Sequence, residues 1–347
     1  VAPSASPDAA PLPEFAVRHF HRAIDTTWRR TSYSALIRHA DEPGVRSEPE
    51  VIARDDESDD LTVTAVTAAP EAGGTDMTSS MAGLPGGKTF GSLVHAVLET
   101  ADPFAADLSA ELEQQTRVHQ AWWPVGVDAA TLAAALVPMH DTPLGPLAAG
   151  LTLRQIGVRD RLRELAFEIP LAGGDGDGSA PDVRLADVGA LLREHLAADD
   201  PFASYADRLV SAGLGGQPLR GYLSGSLDVV LRLPEQRYLV VDYKTNHLGD
   251  TAAHYGFGRL AEAMLHSDYP LQALLYVAVL HRFLRWRQPG YDSDRHLGGV
   301  LYLFVRGMCG PGTPVFDGHP AGVFSWRPPA GLVVALSDLL HQGRPAA

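Results

Sequence analysis

Asp242 and Lys244 stand two residues apart in Y-L-V-V-D-Y-K, where Leu239, Val240 and Val241 mark a core strand. Side chains two apart on a strand share a face. Asp228 sits in a second apolar run, Leu223 to Leu233, and Pro234-Glu235-Gln236 supplies the turn between the runs. This is a hairpin by sequence, and a modest register brings Asp228 beside Asp242. Two carboxylates meeting at the end of an apolar hairpin are costly unless something positive joins them. Mg²⁺ does so with carboxylate oxygens and water, leaving positions for phosphate. Lys244 is then placed to orient or deprotonate an attacking water and to offset developing charge. Phosphodiester hydrolysis needs those functions together. A D-x-K can also be an exposed ion pair at a strand end, with Asp228 in a turn. The flanks Leu227, Val229 and Val230 favour the buried reading, because an acid inside a buried strand calls for a partner.

The elements around this trio read as α/β with a mixed sheet flanked by helices. Thr31 to His39 has the form of a short helix capped by Ser32 or Ser34. Phe90, Leu93, Val94, Val97 and Leu98 recur at helical spacing and carry His95. Residues 107 to 166 read as mostly helical, broken at Pro124, Pro138 and Pro143. Glu164 to Leu171 alternates like a strand, and a helix follows around Val188 to Ala197. Helices are expected at about Ala252 to Leu265 and Leu271 to Arg285, then a buried strand from His296 to Arg306.

The organisation expected is a low-complexity segment over 1–30, a junction with an acidic flexible insert over 31–87, and a nuclease-like domain over 88–347. Residues 173–182 read as a Gly/Asp loop. The composition is 45% hydrophobic and 20% charged, that of a soluble globular protein. No apolar stretch reaches the ~20 residues of a membrane span. The Ala/Pro-rich start lacks the pattern of a secretory signal, so a cytoplasmic location is expected. The net charge of −14 argues against a free-standing nonspecific DNA binder. The basic clusters at Arg159, Arg161, Arg163 and at Arg282, Arg285, Arg287 read as solvated helix faces. Cys309 is the only cysteine, which leaves no cysteine-bound iron–sulfur cluster.

G-S-L-D-V-V-L-R, Y-L-V-V-D-Y-K-T-N-H-L-G, Y-P-L-Q-A-L-L-Y-V-A-V-L-H-R-F-L-R and H-L-G-G-V-L-Y-L-F-V-R-G-M resemble, in order, the motifs of the RecB nuclease domains of the PD-(D/E)XK superfamily. F-G-S-L-V-H-A-V-L-E is similar to their upstream metal-binding motif, and T-S-Y-S-A-L resembles the junction with a helicase part. The resemblance implies a restriction-endonuclease-like core. It implies that His95, Asp228, Asp242 and the Tyr243 backbone carbonyl ligate Mg²⁺, and that Lys244 is the catalytic lysine. Gln272 and Tyr276 match a Q-x-x-x-Y helix that supports the site or contacts DNA. Glu168 takes the place of an acid on the strand before the hairpin. The implied function is Mg²⁺-dependent cutting of linear DNA within a RecBCD-type machine for recombinational repair, with a helicase portion and RecC/RecD-like subunits as partners. Since no helicase motor is present, the implied chain is a fragment, an excised domain or a split subunit. A catalytically silent nuclease fold and an AddA-type nuclease are the alternatives.

Two motifs compete for attention. A-G-L-P-G-G-K-T at 82–89 resembles a phosphate-binding loop, but the polar residues before it do not form the strand such a loop follows. Lys88 and Thr89 are expected to open the helix bearing His95. Asp175 begins a calcium-loop-like run that lacks the required Gly and Glu, with Ala180 and Ala186 in their places.

Overall fold

Apolar runs that do not alternate, such as Leu239-Val240-Val241 and Val300 to Phe304, belong to strands covered on both faces. The computed structural model describes residues 29–38, 77–172 and 183–342 and bears this out. The expectations for 1–28, for 39–76 and for the loop at 173–182 lie outside the described residues.

The chain begins with β1 (Arg29–Thr31) and α1 (Tyr33–Arg38), then runs through α2 (Lys88–Thr100), α3 (Leu108–Gln120) and α4 (Ala129–Asp141). Next come β2 (Arg161–Pro170), α5 (Leu185–His195), α6 (Tyr205–Val210), β3 (Gly221–Leu233) and β4 (Arg237–Lys244). The last part holds α7 (Phe257–His266), α8 (Tyr269–Arg287), α9 (Ser293–His296), β5 (Leu297–Phe304), β6 (Val315–Phe316), β7 (His319–Pro320), β8 (Val323–Trp326) and α10 (Ala330–Gln342).

The main sheet has the order β1-β3-β4-β5-β8, with β2 also paired to β3. β1 and β3 are parallel, β3 and β4 form the antiparallel hairpin, β4 and β5 are parallel, and β8 returns antiparallel. Parallel β4 and β5 require a long crossover, and α7, α8 and α9 fill it. One core lies between the sheet and α5, α6, α7, α8 and α10, and includes Tyr33 and Leu36 of α1. The other lies between the sheet and α2, α3 and α4. Two packed layers on one sheet explain why every residue of β5 is buried. Gly299, at φ +110, takes part in this closeness: a Cβ there would lie 2.5 Å from the Trp326 carbonyl oxygen.

Several boundaries differ from expectation. Arg161 and Arg163 lie on β2 rather than on a helix, because the strand starts ahead of Glu164. Pro138 does not end a helix; α4 runs on to Asp141, and the ladder bond that Pro138 forfeits is to the carbonyl of Ala134, an exposed residue. Gly256 divides the expected helix at 252–265 into a short 3₁₀ turn and α7. The described parts of the expected junction contact the rest of the fold. Thr31 pairs with Leu223, and Ser32 accepts the Ala35 N–H at 3.3 Å as the cap of α1.

His140, 4% exposed near the end of α4, donates from Nδ1 to the Leu136 carbonyl at 3.1 Å. Burial pushes its imidazole from 6.5 down to about 4, so the folded state keeps it neutral. The unfolded chain takes up that proton first as pH falls. Its contribution is complete above pH 6.5 and is lost between there and about 4, to the extent of roughly 3 kcal/mol. In urea denaturation at pH 7 and pH 4.5, H140Q is expected to lose about 2 kcal/mol less stability than the wild type across that interval.

Candidate active site

The register Val229↔Val241 is the last paired rung of the hairpin on this side, and its continuation sets Asp228 against Asp242. Here the strand alternation breaks. Leu227 packs into one core and Val229 into the other, although residues two apart share a face on a regular strand. Across from Asp228 on β2, the ladder skips Glu164, whose φ is +48. A non-glycine residue in that region marks an irregular strand. The irregularity turns Asp228 toward α2, where its Oδ2 lies 3.3 Å from His95 Nδ1. The same oxygen accepts the Tyr243 N–H at 2.9 Å.

Asp242 and Lys244, at 2% and 1% exposed, face the opposite core. Lys244 Nζ is 2.7 Å from Asp242 Oδ2 and lies 4.1 Å above the Tyr269 ring and 5.5 Å from that of Tyr302. The Tyr302 hydroxyl donates to Gln272 Oε1 at 3.0 Å, and Gln272 Nε2 donates to the Tyr276 hydroxyl at 3.2 Å. Gln272 and Tyr276 are therefore buried behind the lysine.

The two acids differ in state. Burial pushes the Asp242 carboxyl up to about 7 against the pull of Lys244, and the Asp228 charge adds to the rise. Burial would also raise Asp228, but His95, the Tyr243 N–H and Lys244 together hold it below the usual range. Two neighbouring acids that cannot both shed their protons cheaply have the chemistry that suits a hard cation. His95 supplies an imidazole beside them. Among the described residues no three such groups are already drawn tightly enough together to hold an ion, and the Oδ2 of Asp242 is held by Lys244.

The structure thus brings together His95, Asp228, Asp242, Tyr243 and Lys244, with Gln272 and Tyr276 behind them. Glu168 is not among them. It sits opposite Ser224, four residues along β3 from Asp228 or roughly 13 Å away, and makes an exposed ion pair with Arg30. Glu164 occupies the place across from Asp228 and accepts the Ser226 hydroxyl at 2.7 Å. Both glutamates lie in E-L-A-F-E, four apart, so only the pairing register between β2 and β3 separates them.

Arg306 carries no expectation from the sequence. It is 1% exposed, and its Nε donates to the Thr245 carbonyl at 2.7 Å, just beyond Lys244. Its Nη1 donates to the Met81 and Leu84 carbonyls at 3.0 and 3.3 Å, and Nη2 to that of Pro85. Its guanidinium also stacks 5.1 Å over Phe90 in the first turn of α2. The phosphate-loop-like run at 82–89 is thereby explained: its carbonyls wrap an arginine and its end opens the helix of His95. Arg163 holds the other end of α2, donating to the Glu99 and Ala101 carbonyls at 2.7 and 3.0 Å.

Removing the guanidinium leaves several buried carbonyls without a donor, each costing about 1–3 kcal/mol. R306M is expected to lower the unfolding free energy by roughly 3–5 kcal/mol in urea titration. A loss below about 1 kcal/mol would show that the clamp does not hold the site together.

Comparison with known proteins agrees with this geometry. The family model described as PD-(D/E)XK nuclease superfamily matches residues 82–319. The chain is 72% identical over 338 residues to the RecBCD enzyme subunit RecB of Mycobacterium tuberculosis (strain ATCC 25618 / H37Rv), covering 96% of this chain and 30% of that protein. It is 66% identical over 343 residues to RecB of Mycolicibacterium smegmatis, covering 96% and 31%. It is 32% identical over 262 residues to RecB of Escherichia coli (strain K12), covering 74% and 19%. The chain spans less than a third of the length of these relatives. With its two aspartates on neighbouring strands, its lysine and a family match over most of its length, the chain belongs to the PD-(D/E)XK nuclease superfamily.

Proposed function

We propose that this chain is the DNA-cutting module of a RecBCD-type helicase-nuclease, hydrolysing phosphodiester bonds of linear DNA with Mg²⁺ in double-strand-break repair by recombination. The observation that carries this reading is the convergence of Asp228, Asp242 and Lys244 where β3 and β4 part. A catalytically silent fold has no support here, since both acids and the lysine are present at neighbouring positions of the hairpin.

Divalent metal is the general requirement of PD-(D/E)XK nucleases, and Mg²⁺ is our assignment. His95, Asp228 and Asp242 would hold it, with the Tyr243 backbone carbonyl as a further donor. Bound there, the cation supplies Lewis acidity and lowers the pKa of a water. Asp228 is kept ionised by His95, the Tyr243 N–H and Lys244, ready to accept a cation. Asp242 would hold the ion through the carboxylate that now pairs with Lys244. The ammonium of Lys244, over the Tyr269 ring, would orient the attacking water and offset phosphorane charge. Glu164 takes the position on β2 that Glu168 was expected to fill. Gln272 and Tyr276 act through the tyrosine that borders the lysine.

The RecB relatives suggest the partners: a helicase portion and RecC/RecD-like subunits that deliver DNA. The net charge of −14 agrees with substrate grip lying partly outside this chain. No helix among the described residues is long and apolar enough to cross a membrane, and we assign the protein to the cytoplasm. We also place residues 31–38 and 77–87 within the nuclease unit, because they share its sheet and its arginine clamp.

The test is digestion of linear single- and double-stranded DNA with Mg²⁺. The wild type is expected to degrade DNA, and D242A to be slower by at least about 100-fold. Equal digestion by both proteins, or none by the wild type across Mg²⁺ concentrations, would refute the reading.

A further inference from the structure

We propose that Tyr269 and Tyr302 are positioning residues for Lys244, their ring faces holding its ammonium group at the parting of β3 and β4. The proposal rests on the nuclease reading above and assigns a device that the lysine's chemistry requires.

A lysine ammonium sits on a flexible four-carbon stem and is strongly hydrated in water. Lys244 is 1% exposed, so its water has been replaced by protein groups. Its ion-pair partner at 2.7 Å is Asp242, the same carboxylate that a cation would claim. With that oxygen on a metal, negative potential beside the ammonium that does not come from a metal ligand would keep it in place. A further carboxylate would be a poor choice, because it would compete for the metal as an oxygen ligand. The faces of aromatic rings carry negative potential without offering a hard ligand. Tyr269 and Tyr302 provide two such faces, with ring centroids 5.9 Å apart and planes 24° from parallel.

Both rings are held from behind. The Tyr302 hydroxyl donates to Gln272 Oε1 at 3.0 Å and lies 3.4 Å from the Tyr269 carbonyl. Tyr269 opens α8 directly after Asp268, whose carboxylate takes two hydrogen bonds of 2.7 Å from Arg208 and one of 3.0 Å from the Tyr205 hydroxyl. Asp268 has φ +57 and is 3% exposed, so this turn is fixed by its partners. The Tyr269 hydroxyl reaches Asn246 Oδ1 at 3.4 Å, on the segment that leaves Lys244. The Q-x-x-x-Y spacing of Gln272 and Tyr276 thus serves to lock a ring that faces the lysine.

The chain contains two lysines, Lys88 and Lys244, so lysine labelling gives a direct view. With ¹³C-lysine incorporated, NMR of the full chain is expected to show two side-chain environments. The Lys244 Cε protons should be shifted upfield by the Tyr269 ring, and that shift should vanish in Y269L. In DNA digestion, Y269F is expected to keep kcat within about 3-fold, while Y269L loses about 30-fold in kcat with KM nearly unchanged. Trifluorophenylalanine at 269 preserves the ring's shape but withdraws its electrons. It is expected to lower kcat about tenfold relative to Y269F at an unchanged melting temperature, and this variant decides the matter if Y269L does not fold. An active wild type whose kcat is indifferent to fluorination, or a Lys244 signal without a ring shift, would overturn the proposal. An inactive wild type would instead overturn the nuclease reading.

Discussion

Charge placed between two packed layers is the constraint on which the rest of this structure depends. Asp242 and Lys244 are almost wholly excluded from water on a strand whose neighbours on both sides are apolar. Removing either partner of such a pair typically costs about 3–5 kcal/mol, because the other charge is left uncompensated. The fold meets that demand at one place, where β3 loses its alternation at Asp228 and β2 loses a rung at Glu164. There the sheet opens enough for groups from both layers to reach the same point. α2 brings His95 from one side, and α8 brings Tyr269 from the other.

The surrounding architecture reads as support for that opening. Arg306 ties the end of β4 to the segment that starts α2, and Arg163 ties the end of α2 to β2. Asp268, with Arg208 and Tyr205, fixes the turn that starts α8. Three elements distant in sequence, β4, α2 and α8, are held at their ends by arginines. Guanidinium suits this task, since its planar fork serves several oxygens at once and remains charged when buried. The single ammonium near the centre is kept for a place where a movable point charge is useful.

Much of this was legible in the sequence, and the limits have physical causes. The hairpin, its two acids and its lysine were readable because apolar runs and a turn set them out within one local unit. The helix of His95 was readable from its 3.6-residue period. Gln272 and Tyr276 were recognisable by resemblance, but their burial behind Lys244 follows from how α8 packs on the sheet. Glu168 and Glu164 lie on one alternating stretch, so local pattern does not tell which of them lies across from Asp228. The register of β2 on β3 is a long-range property that no local pattern encodes. Arg306 stood at the end of an expected buried strand, and its clamp shows only once the loop at 81–85 folds over it. Arg161 and Arg163 looked helical because the strand's outward face is charged, which hides its period.

The central claim is that a cation joins Asp228 and Asp242, beside His95, where β3 and β4 part. Anomalous diffraction from crystals grown with Mn²⁺ in place of Mg²⁺ addresses it directly. The account predicts a peak within about 2–2.5 Å of carboxylate oxygens from both aspartates, with Lys244 no longer on Asp242 and still over the Tyr269 ring. A peak that avoids either aspartate, or no peak there with Mn²⁺ bound elsewhere, would contradict it.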